Sequence, residues 1–438
     1  MLDRSTWALL RRLTGWLDQF KDCFGHRAQH VSLRQYVDGL LGDSARKSMS
    51  AMLERISEPT SYQAFQHFIT HAPWDAEVVW RRLRAVVPER TGILILDETS
   101  FPKSGSHSVG VARQYCGALG KVANCQVAVT AVLWTGQRAW PMGATLYLPE
   151  GWTTDRARCA AARIPTTVRF HEKWRLALTL VHRTQAAGVT LTAVVADAAY
   201  GDNSTVRATL HRLGLPYALG ISPTLTIFRG TPILRTDRRR SPPRNRRAGW
   251  PDQEAVGVRL LSDALPVRAW KRVTWRNGTQ QPWAADFAAL RVTPATEWRQ
   301  RRLAPEVWLL CERGLGPTGR RRHYLVSLPA SASLAQLVRV AHHRWAIEQH
   351  YQDLKTELGL DHFEGRSYPG WQHHLAISAV AYAFVQRERM RARQGVPLTF
   401  PQARAFVQEI FTGLLFASRP RYMQWMKQAE QRFRQLRI

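Results

Sequence analysis

Up to about residue 88, apolar positions recur at spacings of three and four, the period of helices that bury one face. "LRQYVDGLLG" (33–42) predicts a helix closed by a glycine, and "SARKSMSAMLERI" (44–56) one opened by a capping serine. "SYQAFQHFITHAPWDAEVVWRRLRAVV" (61–87) keeps the same spacing, so residues 1–88 read as an all-α N-terminal domain. The texture then turns to strands. "GILILD" (92–97) is a continuous apolar run ending in an acid, and "CQVAVTAVLW" and "RAWPMGATLYL" follow as two more strands joined by "TGQ". A helix, "EKWRLALTLVHRTQAAG", leads to "LTAVVAD" (191–197), a second apolar strand ending in an acid. Helix "NSTVRATLHRLG" and strand "PYALGI" complete an α/β unit over 89–222.

Residues 223–330 alternate short strands with Pro, Gly and Arg, a β-rich insertion that contains the arginine-rich "RTDRRRSPPRNRRAG". That loop reads either as a solvated segment or as a contact for phosphate. Helical periodicity resumes over 331–395, and a basic helical tail occupies 396–438.

The helix expected at about 332–359 carries unusual chemistry. At about 100° per residue, with Arg344 at zero, Glu348 falls near 40°, Tyr351 near 340° and Lys355 near 20°. The four form one stripe beside the buried face of Val340, Ile347, Leu354 and Leu358, with His342, Gln349, Asp353, Thr356 and Glu357 on the far side. One plain reading is an i,i+4 ion pair on a surface. The extra Tyr351 and Lys355 on the same stripe favour a functional cluster around Glu348.

Charge narrows the function. Lys and Arg number 62 against 33 Asp and Glu, a formal +29 over 438 residues, spread along the whole length, which calls for a polyanionic partner. The five cysteines (Cys23, Cys116, Cys125, Cys159, Cys311) form no CxxC pair, which argues against a disulfide framework or a zinc knuckle and suits a reducing cytoplasm. No apolar run reaches the length of a membrane span, so a soluble intracellular protein is expected.

Two apolar strands deliver Asp97 and Asp197 at their carboxyl ends, where open α/β sheets place their sites. Asp197 is not expected as a helix cap, because Asp202, Asn203 and Ser204 stand at the next helix start. Three converging acids, with Glu348 the third, repel one another unless cations lie between them, and oxygen ligands suit magnesium. The chain has no P-loop, HExxH or GxSxG pattern. A basic protein with three such acids therefore points to metal-assisted phosphoryl transfer on nucleic acid, with two ions about 3.5–4 Å apart. Glu348 would close the metal site, with Arg344 and Lys355 holding its carboxylate and the DNA phosphates and Tyr351 beside them on the DNA.

On these residues the chain resembles the DDE transposases of bacterial insertion sequences. Arg344, Glu348 and Lys355 match the R-x3-E-x6-K part of the Y-x2-R-x3-E-x6-K signature. The signature's tyrosine position is Ala341 here, and Tyr351 is the stand-in on the helical wheel. "LDETSFPKSGSHSVGVARQYCGALGKVANCQVAV", "VVADAAYGDN" and "HRWAIEQHYQDLKTELGLDHFEGRSYPGWQHHLAISAVAYAF" are similar to the insertion-sequence 701 family in particular, over roughly residues 20–390. The resemblance implies a ribonuclease H-like catalytic core interrupted by the β-rich insertion, and a triad of Asp97, Asp197 and Glu348. It also implies two Mg2+ ions with Mn2+ as a substitute, and cut-and-paste movement of DNA. The implied partners are double-stranded DNA, as terminal inverted repeats and target, and a second copy of the chain, in the bacterial cytoplasm near the nucleoid.

Several residues keep two readings. Lys103 and Arg113 follow the first acid in a glycine-rich stretch and are either phosphate contacts or loop charges. Trp275 or Trp283 in the insertion either packs in a core or stacks on an unpaired base. His373 and His374 read as residues near a helix N-terminus without a catalytic role.

Overall fold

Strand β1 (Thr91–Pro102) is the spine of a mixed sheet, because its apolar residues are buried on both faces. Around it lie β2 (Ala112–Cys116), β3 (Lys121–Trp134), β4 (Ala139–Leu146), β5 (Thr190–Ala196) and β6 (Tyr217–Ile221). β3 pairs antiparallel with β1 and with β4, while β5 runs parallel to β1 and β6 parallel to β5. The core order is therefore β4-β3-β1-β5-β6, with β2 on the far half of β3. In this computed structural model the described residues are 4–235, 249–276, 282–300, 302–315, 319–391 and 398–419, with isolated positions beyond. The arginine-rich stretch at 236–248 and most of the basic tail past residue 419 lie outside them.

Past β6 come β7 (Thr226–Arg229), β8 (Leu234–Arg235), β9 (Trp250–Pro251), β10 (Val256–Gly257), β11 (Lys271–Arg276), β12 (Trp283–Pro294), β13 (Val307–Arg313) and β14 (Arg321–Val326). β14 pairs antiparallel with β6, and β13, β12 and β7 continue outward. The β-rich stretch thus prolongs the core sheet; β8 and β9 pair only with each other.

Helices cover both faces. Alternation along β1 sends Leu94 and Leu96 into the large core shared with the N-terminal helices, and Ile93 and Ile95 toward the helices around Glu348. The helical spacing read over 61–87 is carried by two helices, Tyr62–Thr70 and Ala76–Val86, because Asp75 caps a new start. The cap expected at Ser44 lies at Ser48, which opens Met49–Glu54. Helix Tyr368–Arg389 is buried nearly all round, as its apolar periphery requires, and packs against Arg27–Leu41, Ala76–Val86, Phe400–Ser418 and β4. Its His373 ring stacks on Trp74 at 3.6 Å and contacts the carbonyls of Ile69 and Trp74, while His374 joins Tyr36 and Leu360. Both imidazoles bind the N-terminal helices and neighbouring segments to this central helix.

The helix expected over 332–359 is broken. Leu334–His342 ends, a tight turn follows in which Ala346 and Ile347 donate three residues back while His343 and Arg344 stay in the right-handed region, and Trp345–Gln352 begins. Asp353–Glu357 is a π-turn. Gly359, at φ +62°, closes it in the left-handed region while Leu360 N–H reaches back to Leu354 O at 3.1 Å.

Candidate active site

The same alternation that aims Ile93 and Ile95 at the Glu348 helix aims Asp97 that way too. Asp97 does not end its strand, as the apolar run suggested, because β1 continues to Pro102 along β3. Its pairing with β5 stops at Ile95, so Asp97 lies just past the reach of that parallel neighbour. Asp197 follows the last residue of β5 and, against expectation, does cap a helix: its Oδ1 accepts from Ala199 N at 3.0 Å, opening the single turn Ala198–Gly201. Asn203 caps the next helix. The short turn seats directly on β6, since a Cβ on Gly201 would stand 1.8 Å from Gly220 O.

Asp97, Asp197 and Glu348 line one open cleft of about 890 Å³, together with Arg344, Tyr351 and Lys355. Arg344, in the turn between the two helices, donates through Nη1 to Asp97 Oδ2 and through Nη2 to Glu348 Oε1 at 3.1 Å. Among the described residues no three His, Cys, Asp or Glu side chains stand close enough to hold an ion as a group. The guanidinium lies between two of the acids. Asp97 is only 8% exposed, and its other oxygen accepts from Glu98 N at 2.8 Å. Burial pushes the Asp97 carboxyl up to about 7; Asp197 adds to that push and Arg344 opposes it.

The helical wheel misjudged the depth of two acids. The Glu348 side chain is 65% exposed and projects into the cleft, not toward the core. Asp353, expected on the outer face, is buried where helix Tyr368–Arg389 covers it, bonded to Gln349 and pushed up to about 6 by burial. Lys355 does not reach Glu348: its Nζ donates to Ser100 O at 3.1 Å and lies over the Phe101 ring. Tyr351 OH meets Thr130 Oγ1 at 2.5 Å, and Thr130 donates to Asp97 O at 3.3 Å. The tyrosine thereby fastens its helix to the residue paired with Asp97 across β1 and β3.

Other expected residues fall elsewhere. Lys103 Nζ donates to Phe363 O at 2.7 Å, a tie between loops, and Arg113 is exposed on the edge strand β2. A second recess of about 360 Å³ shares Asp197, Arg344 and Glu348 and is walled by Trp275, Trp283, Trp345 and Tyr324 with Arg276 and Arg322. Trp275 stacks on His342 at 3.9 Å and meets Phe287 edge-on, whereas Trp283 is 53% exposed.

Sequence reasoning missed Glu98, whose Oε2 accepts from Lys173 Nζ at 2.5 Å and whose Oε1 accepts from Tyr200 OH at 3.4 Å inside the main cleft. The Asp-Glu doublet at the end of the apolar run was its only signal.

A sequence model of the DDE superfamily endonucleases matches residues 19–282, a span that holds Asp97 and Asp197 and stops before Glu348. A probable transposase for insertion sequence element IS701 from Microchaete diplosiphon is 31% identical over 189 residues, 42% of this chain and 46% of that protein. The chain thus matches about half the length of that relative. No helix among the described residues is long and apolar enough to cross a membrane. With the family match extending over more than half of its residues, the chain belongs to the DDE superfamily endonucleases.

Proposed function

We propose that the protein is a transposase of an insertion sequence, cutting the ends of its element and joining them to target DNA by phosphoryl transfer. The observation that carries this reading is that Asp97, Asp197 and Glu348, distant in the chain, line one cleft. The order β4-β3-β1-β5-β6, three antiparallel strands followed by two parallel ones, suits a ribonuclease H-like core. The likeness to a probable IS701 transposase and the +29 charge support DNA as substrate.

The donor set of three carboxylates is chemically suited to hard divalent ions, magnesium or manganese, which Asp97, Asp197 and Glu348 would hold on drawing closer than they stand here, with Arg344 moved from between two of them. When bound, such ions supply an activated water or 3′-hydroxyl and charge compensation for the leaving oxygen. The chain's own residues do the rest. Arg344 bridges Asp97 and Glu348 and is positioned to transfer its guanidinium to a DNA phosphate, for which its fork is well matched. Lys355 and Tyr351 hold β1, β3 and the Glu348 helix in register. Trp283, exposed beside Asp197, offers a face for an unpaired base. Bringing two element ends together calls for two copies of the chain.

The test is a strand-transfer assay with a pre-cut element end and Mg2+. Joined product supports a transposase. Cutting without joining supports the rival reading, a DNA endonuclease of the same family. Steeply salt-dependent binding with neither reaction, in magnesium or manganese, leaves a DNA-binding protein of transposase descent.

A further inference from the structure

The main cleft has a wall that the acids and Arg344 do not account for. Tyr115, Tyr147, Phe170 and Trp174 all line the cleft with Lys173. Tyr115 is 64% exposed although it sits on a sheet strand, and its cross-strand partner Val122 is 54% exposed. Tyr147 and Phe170 meet edge to face at 6.3 Å, Lys173 Nζ lies 5.1 Å over the Tyr147 ring, and Arg175 lies over Trp174. Tyr115 is exposed and the other three rings are half-buried, so the wall presents aromatic surface interleaved with cations inside a polar cleft, a surface that a flat partner would cover.

The charges on this wall say what that cover is. Its two carboxylates are both paired, Glu98 with Lys173 Nζ at 2.5 Å and Glu172 with Arg175 Nε at 3.6 Å. A wall with its charges matched in this way offers little to the sugar-phosphate rail of a duplex. It suits bases, which present aromatic faces to the rings and exocyclic amines to the carboxylates.

Resting on the reading that DNA is cut at the acids, we propose that the wall of Tyr115, Tyr147, Phe170 and Trp174 is a subsite for unpaired nucleotides of the strand being cut. These four residues line the main cleft alone and Trp275 and Trp283 the other recess alone, while Asp197, Arg344 and Glu348 line both. The two strands of a DNA end would then part at the shared residues, with bases of one on the tyrosine wall and bases of the other in the tryptophan recess.

The experiment is metal-free binding of the full chain to two DNAs of one sequence, a fully paired end and an end with a short unpaired tail carrying 2-aminopurine. The expected result is tighter binding of the tailed DNA with quenched 2-aminopurine fluorescence. Tyr115→Ala and Trp174→Leu should each cut that preference by about 5-fold or more, with paired-end affinity unchanged, and Tyr115→Trp should restore it. A preference that survives Tyr115→Ala overturns the subsite. So does one abolished by Trp283→Ala alone, since the tail then lies in the other recess. A change in self-association without a change in DNA binding also overturns it, marking the wall as a contact between copies. Because no cleavage is read, a protein that binds as expected but never cuts would fail the transposase reading and leave the subsite standing.

Discussion

Arg344 donates at once to Asp97 and to Glu348, so one guanidinium joins the middle of the sheet to the start of a helix some 250 residues later in the chain. Removing it strands a buried carboxyl. Arg344→Gln is therefore expected to lower stability by about 1–3 kcal/mol in the absence of metal, read as the apparent midpoint of thermal unfolding. If the acids hold divalent ions, millimolar Mg2+ should narrow the gap to wild type, because an ion restores the missing positive charge. A gap indifferent to Mg2+ would speak against ion binding there.

Tyr351 holds a neutral hydrogen bond to Thr130, which in turn donates to the backbone carbonyl of Asp97. Tyr351→Phe should cost about 0.5–1.5 kcal/mol of stability and reduce strand cleavage less than 10-fold, measured as single-turnover nicking. A loss as large as that of an acid would give the hydroxyl a direct part in the reaction.

Lys355 anchors the π-turn to Ser100, three residues past Asp97. Lys355→Ala is expected to slow nicking by about 10–100-fold, with binding of element ends at low salt little changed. A drop in binding that flattens the salt dependence by about one phosphate contact would instead place the ammonium on DNA.

Three buried histidines set an acid limit on stability. Burial pushes the imidazoles of His323 and His374 down to about 4 and that of His350 down to about 3. The unfolded chain takes up these protons near pH 6.5 while the folded chain does not. Their stabilisation is thus complete above 6.5 and drains away as pH falls toward 4, at about 1.4 kcal/mol per histidine per pH unit. Asp38 and Asp353, pushed up to about 6 by burial, tilt the same interval the other way, because the folded state keeps their protons. The clean observable is a difference: urea midpoints between pH 7 and 5 should slope less for His374→Gln than for wild type. Equal slopes would mean that His374 accepts its proton in place.

The parts of this site that were legible are those written locally. Asp97 and Asp197 could be found because each ends a run of apolar residues, and such runs demand burial wherever they lie. Glu348, Arg344 and Lys355 showed in the spacing of one helix. What the helical wheel assumed, an unbroken helix, fails at His343 and Arg344, where neither Gly nor Pro marks the turn. The depth of Asp353 depends on a helix that follows it, and the union of the later strands with the core sheet depends on β14 finding the edge of β6. Glu98 was hidden for a simpler reason: alternation turns it away from Asp97, and only Lys173, 75 residues on, reveals its use.

The central claim is that Asp97, Asp197 and Glu348 act as one unit on DNA. The most direct measurement is Mg2+-dependent nicking of the element's own ends by Asp97→Asn, Asp197→Asn and Glu348→Gln, with end binding measured on the same preparations. The account predicts that each variant binds the ends and none nicks them. Nicking at near wild-type rate by any one of the three would contradict it.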